Sequence, residues 1–198
     1  YGESALLALQ NARSLRSETV QRAIGFLIAK DTPDYLQRLM EIALANHVHR
    51  YMDDVLKIFS EFKKQEKDET LLVPLLRCIE LAGKPNVAFD AACRDIATNS
   101  YVADELRAAA WFARGSCATM SRAFQADVET VLHDLEVAVP IRSAALIAST
   151  RVCGPCMLPT LSRYTHDSDV RLQWVARYCY HLAGESNTAT ALLLDAIE

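Results

Sequence analysis

At 198 residues, with 51% apolar and 23% charged residues, the chain has an ordinary globular composition and is long enough for one buried core or a run of repeats. Its net charge of -4, with no obvious single-sign patch, argues against nucleic acid as a partner. No apolar run approaches the roughly 18 residues a membrane-spanning helix needs, so no transmembrane segment is expected. Six scattered cysteines neither form a recognisable disulfide framework nor fix the redox compartment.

The chain reads as a succession of helices. Glu3–Ala12 is a short one, apolar at Leu6, Leu7 and Leu9. Ser17-Glu18-Thr19 starts Val20–Lys30, and Asp31-Thr32-Pro33 ends it and begins another that runs to about Asn46. Arg50–Lys64 carries Val55, Ile58, Phe59 and Phe62 on one side, and the mixed charges from Glu61 to Glu69 read as a solvated helix end and loop. Thr70–Ala82 is strongly apolar, with Pro74 near its first turn and Gly83 as a stop. Asn86–Ala97 is expected to turn Val87, Phe89, Ala92, Cys93 and Ile96 inward. Asp104 or a neighbour caps Leu106–Arg114, which Gly115-Ser116 should break. Phe124–Val137 carries Val128, Val131, Leu132 and Leu135. The stretch Val139–Gly184 reads helix, break at Gly154-Pro155, helix over Met157–Thr165, and a third helix opening at Asp169-Val170-Arg171. Thr188–Glu198 begins one more.

Eleven or twelve helices emerge, joined by short connections, with no period-two segment long enough for a strand. Three share a start: Glu105-Leu106-Arg107-Ala108-Ala109-Ala110, Ile141-Arg142-Ser143-Ala144-Ala145 and Val170-Arg171-Leu172-Gln173-Trp174. An Arg followed by small or apolar residues is the inner-helix pattern of HEAT-like repeats, since small residues let a paired helix approach. Arg107, Arg142 and Arg171 are therefore structural candidates, each able to reach an acidic group or helix end in the next unit. The expected fold is all-α: an α-α superhelix, a curved HEAT-like solenoid of at least five antiparallel helix pairs. Residues 1–198 form one solenoid segment, and both ends read as cut from a longer protein.

Motifs that suggest chemistry fail on context. Cys153-Gly154-Pro155-Cys156 has the letters of a thioredoxin-type redox motif, but a helix precedes it and no β-α-β pattern surrounds it. Cys153 and Cys156 are read as structural: reduced in the cytosol, or closed as a small disulfide loop in a secretory compartment. Zinc would need two further ligands; His166 is the nearest histidine and there is no second CxxC. Tyr51-Met52-Asp53-Asp54 matches the catalytic quartet of reverse transcriptases, yet its flanks have helical rather than hairpin spacing. His47 and His49 fall at a helix break, and His133 and His181 in helix bodies. Trp111 and Trp174 follow their arginines at similar distances and are expected in the core. No catalytic set, cofactor site or metal site can be nominated, and the chain is not expected to be an enzyme.

The run from about Glu69 to Gly184 resembles the helical domain of the large lipid transfer protein superfamily (vitellogenin, apolipoprotein B, microsomal triglyceride transfer protein). The resemblance rests on Leu75-Leu76-Arg77-Cys78-Ile79-Glu80-Leu81-Ala82-Gly83-Lys84-Pro85, on Glu105-Leu106-Arg107-Ala108-Ala109-Ala110, and on Pro140-Ile141-Arg142-Ser143-Ala144-Ala145-Leu146. It implies a non-catalytic helical-repeat scaffold that braces a lipid cavity. Its partners would be the rest of its own chain, with lipid reached through adjoining domains, and its setting the secretory pathway. The alternative is a cytoplasmic HEAT-repeat scaffold that binds a protein on its concave face. A helical-repeat enzyme acting on DNA would want a basic concave face that the sequence does not provide.

Overall fold

The computed structural model describes residues 52–64 and 72–184, together with Thr19, Arg22, Ala23, Gln37, Glu41, Leu44 and Ala45. The helices expected over 3–12, 20–30, 33–46 and 188–198, the charged run 65–69, and His47 and His49 lie outside these described stretches. Among the described residues every regular element is helical and none is a strand. In chain order they are α1 (Met52–Lys64), α2 (Val73–Ala82), α3 (Val87–Ala97), α4 (Asp104–Cys117), α5 (Arg122–His133), α6 (Val139–Cys153), a 3-10 turn (Gly154–Met157), α7 (Leu158–Tyr164) and α8 (Val170–Leu182). The all-α class expected from the apolar periodicity is what the structure has.

Local chemistry sets most of the boundaries. Pro74 occupies the first turn of α2, where its missing N–H costs nothing, and the helix ends at Gly83 in a left-handed conformation. Three side chains cap helix starts. Asn86 Oδ1 accepts the Phe89 N–H at 3.0 Å, Ser121 Oγ the Phe124 N–H at 3.1 Å, and Asp169 Oδ1 the Arg171 N–H at 2.8 Å. Helices α4 and α6 begin at Ala103 and Ala138 without a side-chain cap; the cap expected at Asp104 or a neighbour is not made, and Asp104 is the first residue of the helix.

The arginines of the shared helix start act in that setting. Arg107 Nε donates to the Ala97 carbonyl at the end of α3 (3.4 Å), and Arg142 Nε to the Val137 carbonyl just before α6 (3.1 Å). Both side chains are buried. Each therefore ties its helix back to the segment preceding it, not forward to a following unit. Arg171 differs: it is exposed, and Asp169 secures that helix start instead. Accordingly, Arg142→Ala should lower stability by about 1–3 kcal/mol through a lost buried hydrogen bond. Arg171→Ala should leave it within about 0.5 kcal/mol, as surface changes do. Paired urea melts of the two variants check the contrast, and equal shifts would refute it.

Packing follows chain order. Helix α4 packs on α2, α3 and α6; α6 packs on α4, α5 and α8; α7 packs on α8. Helices α2, α4, α6 and α8 are thus successive neighbours, and α3, α5 and α7 each lie against the helix that follows. Helices α3 and α4 are antiparallel, because the Asn86 N–H donates to the Cys117 carbonyl (2.7 Å) while Arg107 reaches Ala97 at the opposite ends. One core runs through all of them, centred on Leu75, Leu76, Ile79, Phe89, Trp111, Phe124, Ile141 and Leu146.

Several expectations are corrected. Gly115-Ser116 does not break α4, which continues to Cys117. Gly115 is instead where α6 comes closest: a Cβ there would lie 2.8 Å from the Ala148 Cα. Glycine at this position serves close backbone approach within a continuous helix. Helix α5 stops at His133, four residues short of Val137, leaving Leu135 exposed beyond it. Val87 is 82% exposed because it sits in the first turn of α3, opposite the Phe89–Cys93 stripe. Trp174 is 42% exposed, whereas Trp111 is fully buried. The stretch Val139–Tyr164 is the one described segment long and apolar enough to cross a membrane by length and composition. It is interrupted by the 3-10 turn, carries the buried Arg142, and packs against α4, α5 and α8.

Candidate functional site

The Cys153-Gly154-Pro155-Cys156 turn forms where α6 ends. Gly154 has φ 55° and ψ -133°, a conformation open to glycine and strained for other residues, and Pro155 opens the 3-10 turn. Cys153, the last residue of α6, and Cys156, inside the 3-10 turn, line the same groove, a space of about 440 Å³ between α5 and the 3-10–α7 segment. Cys153 lies at its base, 9% exposed, and Cys156 is exposed. Burial pushes the Cys153 thiol above the usual thiol pKa, and the neighbouring Cys156 thiol adds to the effect. Cys153 is thus the opposite of the activated nucleophile that redox catalysis requires, and no sheet stands beside the turn to present a protein disulfide among the described residues. An insulin-reduction assay with a dithiol reductant should therefore show no turnover above a Cys156→Ser control, and Cys156-dependent turnover would overturn the non-catalytic reading.

The remaining cysteines are buried thiols without a disulfide. Cys93 on α3 touches Cys117 at the end of α4: their hydrogen bond, then burial, raises the Cys93 pKa. Cys179 on α8 is pushed up to about 11 by burial, against the opposing pull of the Thr150 hydroxyl and Arg151. Cys78 is raised further still by burial and the charge of Glu41. Such groups behave as small apolar core residues. No set of three or more His, Cys, Asp or Glu suited to a metal ion occurs among the described residues. His166 and His181 are exposed, and Asp53 is an exposed residue in the first turn of α1. This helical setting gives Asp53 no hairpin turn from which to hold a metal.

A second candidate surface lies on the helices that neighbour one another in succession. Val73, Ala108, Ala109, Phe112 and Pro140 form the apolar floor of a groove of about 540 Å³, bordered by Arg77, Glu80, Asp104 and Glu105. Its small residues come from the Ala108–Ala110 run of the shared helix start. Ala110 is fully buried, while Ala108 and Ala109 are partly buried against the core. At one end of this face Arg151 Nη1 donates to Glu80 Oε1 at 2.7 Å, linking α6 to α2 past the C-terminal end of α4. The near contact at Gly115 makes that reach possible, since a Cβ there would also lie 3.4 Å from the Arg151 Cδ.

The most heavily tied polar residue among those described is one that the sequence patterns do not single out. Arg114 is 1% exposed. Its Nε donates to Asp90 on α3 (2.9 Å) and its Nη2 to Asp127 on α5 (3.1 Å). Its guanidinium carbon lies 4.7 Å from the Trp111 ring centroid and 4.9 Å from that of Phe124. Asp127 also accepts a two-bond fork from Arg94, at 2.7 and 2.8 Å. The chemistry of this cluster is structural: its charges pair with each other and the Arg114 faces lie on aromatic rings, while Arg114 Nη1 is buried without a hydrogen-bond partner. The local signal is Trp111 three residues before Arg114; Phe124 lies ten positions on, and the acidic partners are 24 and 13 positions away. Comparison with protein-family models, with curated proteins and with solved structures finds no match to this chain.

Proposed function

We propose that the chain is a non-catalytic helical-repeat scaffold, part of an α-α superhelix, that works by seating another surface against the face shared by α2, α4 and α6. The observation that carries this reading is the groove over Ala108, Ala109 and Phe112, apolar at its floor and charged at its rim, on helices that follow one another as neighbours. An apolar centre with a polar border is the ordinary anatomy of a protein-binding surface. The resemblance to the helical domain of large lipid transfer proteins gives the scaffold a specific role, which is to brace the lipid-holding part of a larger assembly, with lipid bound elsewhere. Raised thiol pKa values and the mutual engagement of the arginines and carboxylates support a structural role over an enzymatic one.

The test uses the native protein isolated without detergent. A photo-crosslinking residue replacing Phe112 should form a discrete adduct with one partner surface, and the same residue replacing the exposed Leu135 should not. Thin-layer chromatography of an organic extract should show co-purified neutral or phospholipid. An adduct without lipid favours the protein-binding scaffold over the lipid-transfer role, and equal labelling from both positions overturns the assigned face.

A further inference from the structure

The groove between α5 and the 3-10–α7 segment points to a use for the Cys153–Cys156 pair that the scaffold reading does not contain. Both thiols face one space, but unequally: Cys156 is exposed at its edge and Cys153 lies at its base. A reagent entering from solvent meets Cys156 first. Cys153 stands three residues earlier in the chain, at the end of α6, and lines the same groove. The groove is about the size of a small peptide and carries both signs of charge, with Arg163 alongside Glu129 and Asp167. A zwitterionic ligand finds partners for its carboxylates and its ammonium there.

We propose that this groove is a thiol-modification site for a low-molecular-weight peptide disulfide such as glutathione disulfide, with Cys156 as the entry thiol and Cys153 as the resolving thiol. The Cys156 thiolate attacks one sulfur of the small disulfide. A mixed disulfide forms at Cys156, and one small thiolate leaves and takes up the proton that Cys156 released. Cys153 then gives up its proton and attacks the Cys156 sulfur. The Cys153–Cys156 bond forms and the second small thiol departs. In total two protein thiols and one small disulfide yield one protein disulfide and two small thiols, so electrons and protons balance. The order of the two cysteines is set by exposure along the groove, and it puts the second cysteine of the motif first in the reaction.

The experiment treats the whole chain with glutathione disulfide, quenches with an alkylating agent, and reads intact mass and peptide mapping. The wild type should lose two alkylatable thiols and retain no glutathione. Cys153→Ser should accumulate a stable glutathione adduct on Cys156. Cys156→Ser should accumulate neither adduct nor disulfide while its circular dichroism stays helical. If Cys153→Ser fails to fold, Cys153→Ala provides the same trap. The groove's part is tested by rate: glutathione disulfide should react several-fold faster than uncharged hydroxyethyl disulfide, and Arg163→Ala should reduce that advantage. An adduct found on Cys153, a wild-type disulfide that excludes Cys156, or no wild-type oxidation overturns the site. An equal rate for both disulfides overturns the assignment of a peptide ligand.

Discussion

Replacing Arg114 with alanine should lower the stability of the protein by about 3 kcal/mol, one of two large effects expected here. The change removes one member of a buried charge cluster and leaves two carboxylates behind, a situation that typically costs about 3–5 kcal/mol. The lower end applies because Asp90 and Asp127 keep some access to water, 26% and 11% respectively, and because Arg94 still engages Asp127. The stacked faces of Trp111 and Phe124 lose their cation as well. For a chain of this size the loss corresponds to a fall of roughly 6–12 °C in melting temperature. Arg114→Lys keeps the charge but neither the fork nor the planar stacking, so it should recover only part of the loss. Arg94 is an instructive control: its bonds to Asp127 are shorter, yet it is largely solvated, so Arg94→Ala should have a small fraction of the effect. Urea midpoints followed by circular dichroism measure all three. An Arg114→Ala loss below about 1 kcal/mol would mean that the cluster is not a stability centre.

Gly115→Val should be the second severe change, at about 3 kcal/mol. A side-chain clash can be relieved by rotating the neighbour, but the atom nearest the new Cβ is the Ala148 Cα, at 2.8 Å, and backbone cannot swing aside. Overpacking of this kind commonly costs about 1–3 kcal/mol, and the branched side chain places it at the upper end. Gly115→Ala tests the sign. Helix propensity alone favours alanine by about 1 kcal/mol, so a net loss shows that the interhelical contact dominates. Ala148→Gly removes the 3.2 Å Cβ contact and leaves the Cα in place, so it should not rescue Gly115→Val. Full rescue would locate the clash in the Ala148 side chain and refute the backbone argument.

The helical class, the position of Pro74 in a first turn, the stop at Gly83 and the helix starts near Asn86 and Asp169 are legible in the chain, because each depends on residues within one turn of the effect. Legibility ends where a distant partner overrides local preference. Gly115-Ser116 has the letters of a helix end, and only the arrival of Ala148 from another helix explains a glycine in mid-helix. Arg107 and Arg142 stand out as structural, but their acceptors are backbone carbonyls, which leave no mark in side-chain patterns. Arg171 shares their motif and lacks their bond, since Asp169 satisfies that helix start first. Arg114 is invisible to local patterns because its acidic partners are separated from it in the chain. At the cysteine pair the motif supplies the residues but not their unequal exposure, which depends on how α5 and α7 border the groove.

The order of packing among the helices also has a mechanical meaning. Each helix is held chiefly by the elements adjacent or next but one in the chain, so a load applied to the two ends meets the interfaces in series. Such a chain yields piecewise, releasing a helix or a helix pair at a time and extending under modest tension in place of a single abrupt rupture. The Glu80–Arg151 bridge, which joins positions 71 apart, runs parallel to that series and links α2 directly to α6, with the modest strength of a partly exposed ion pair.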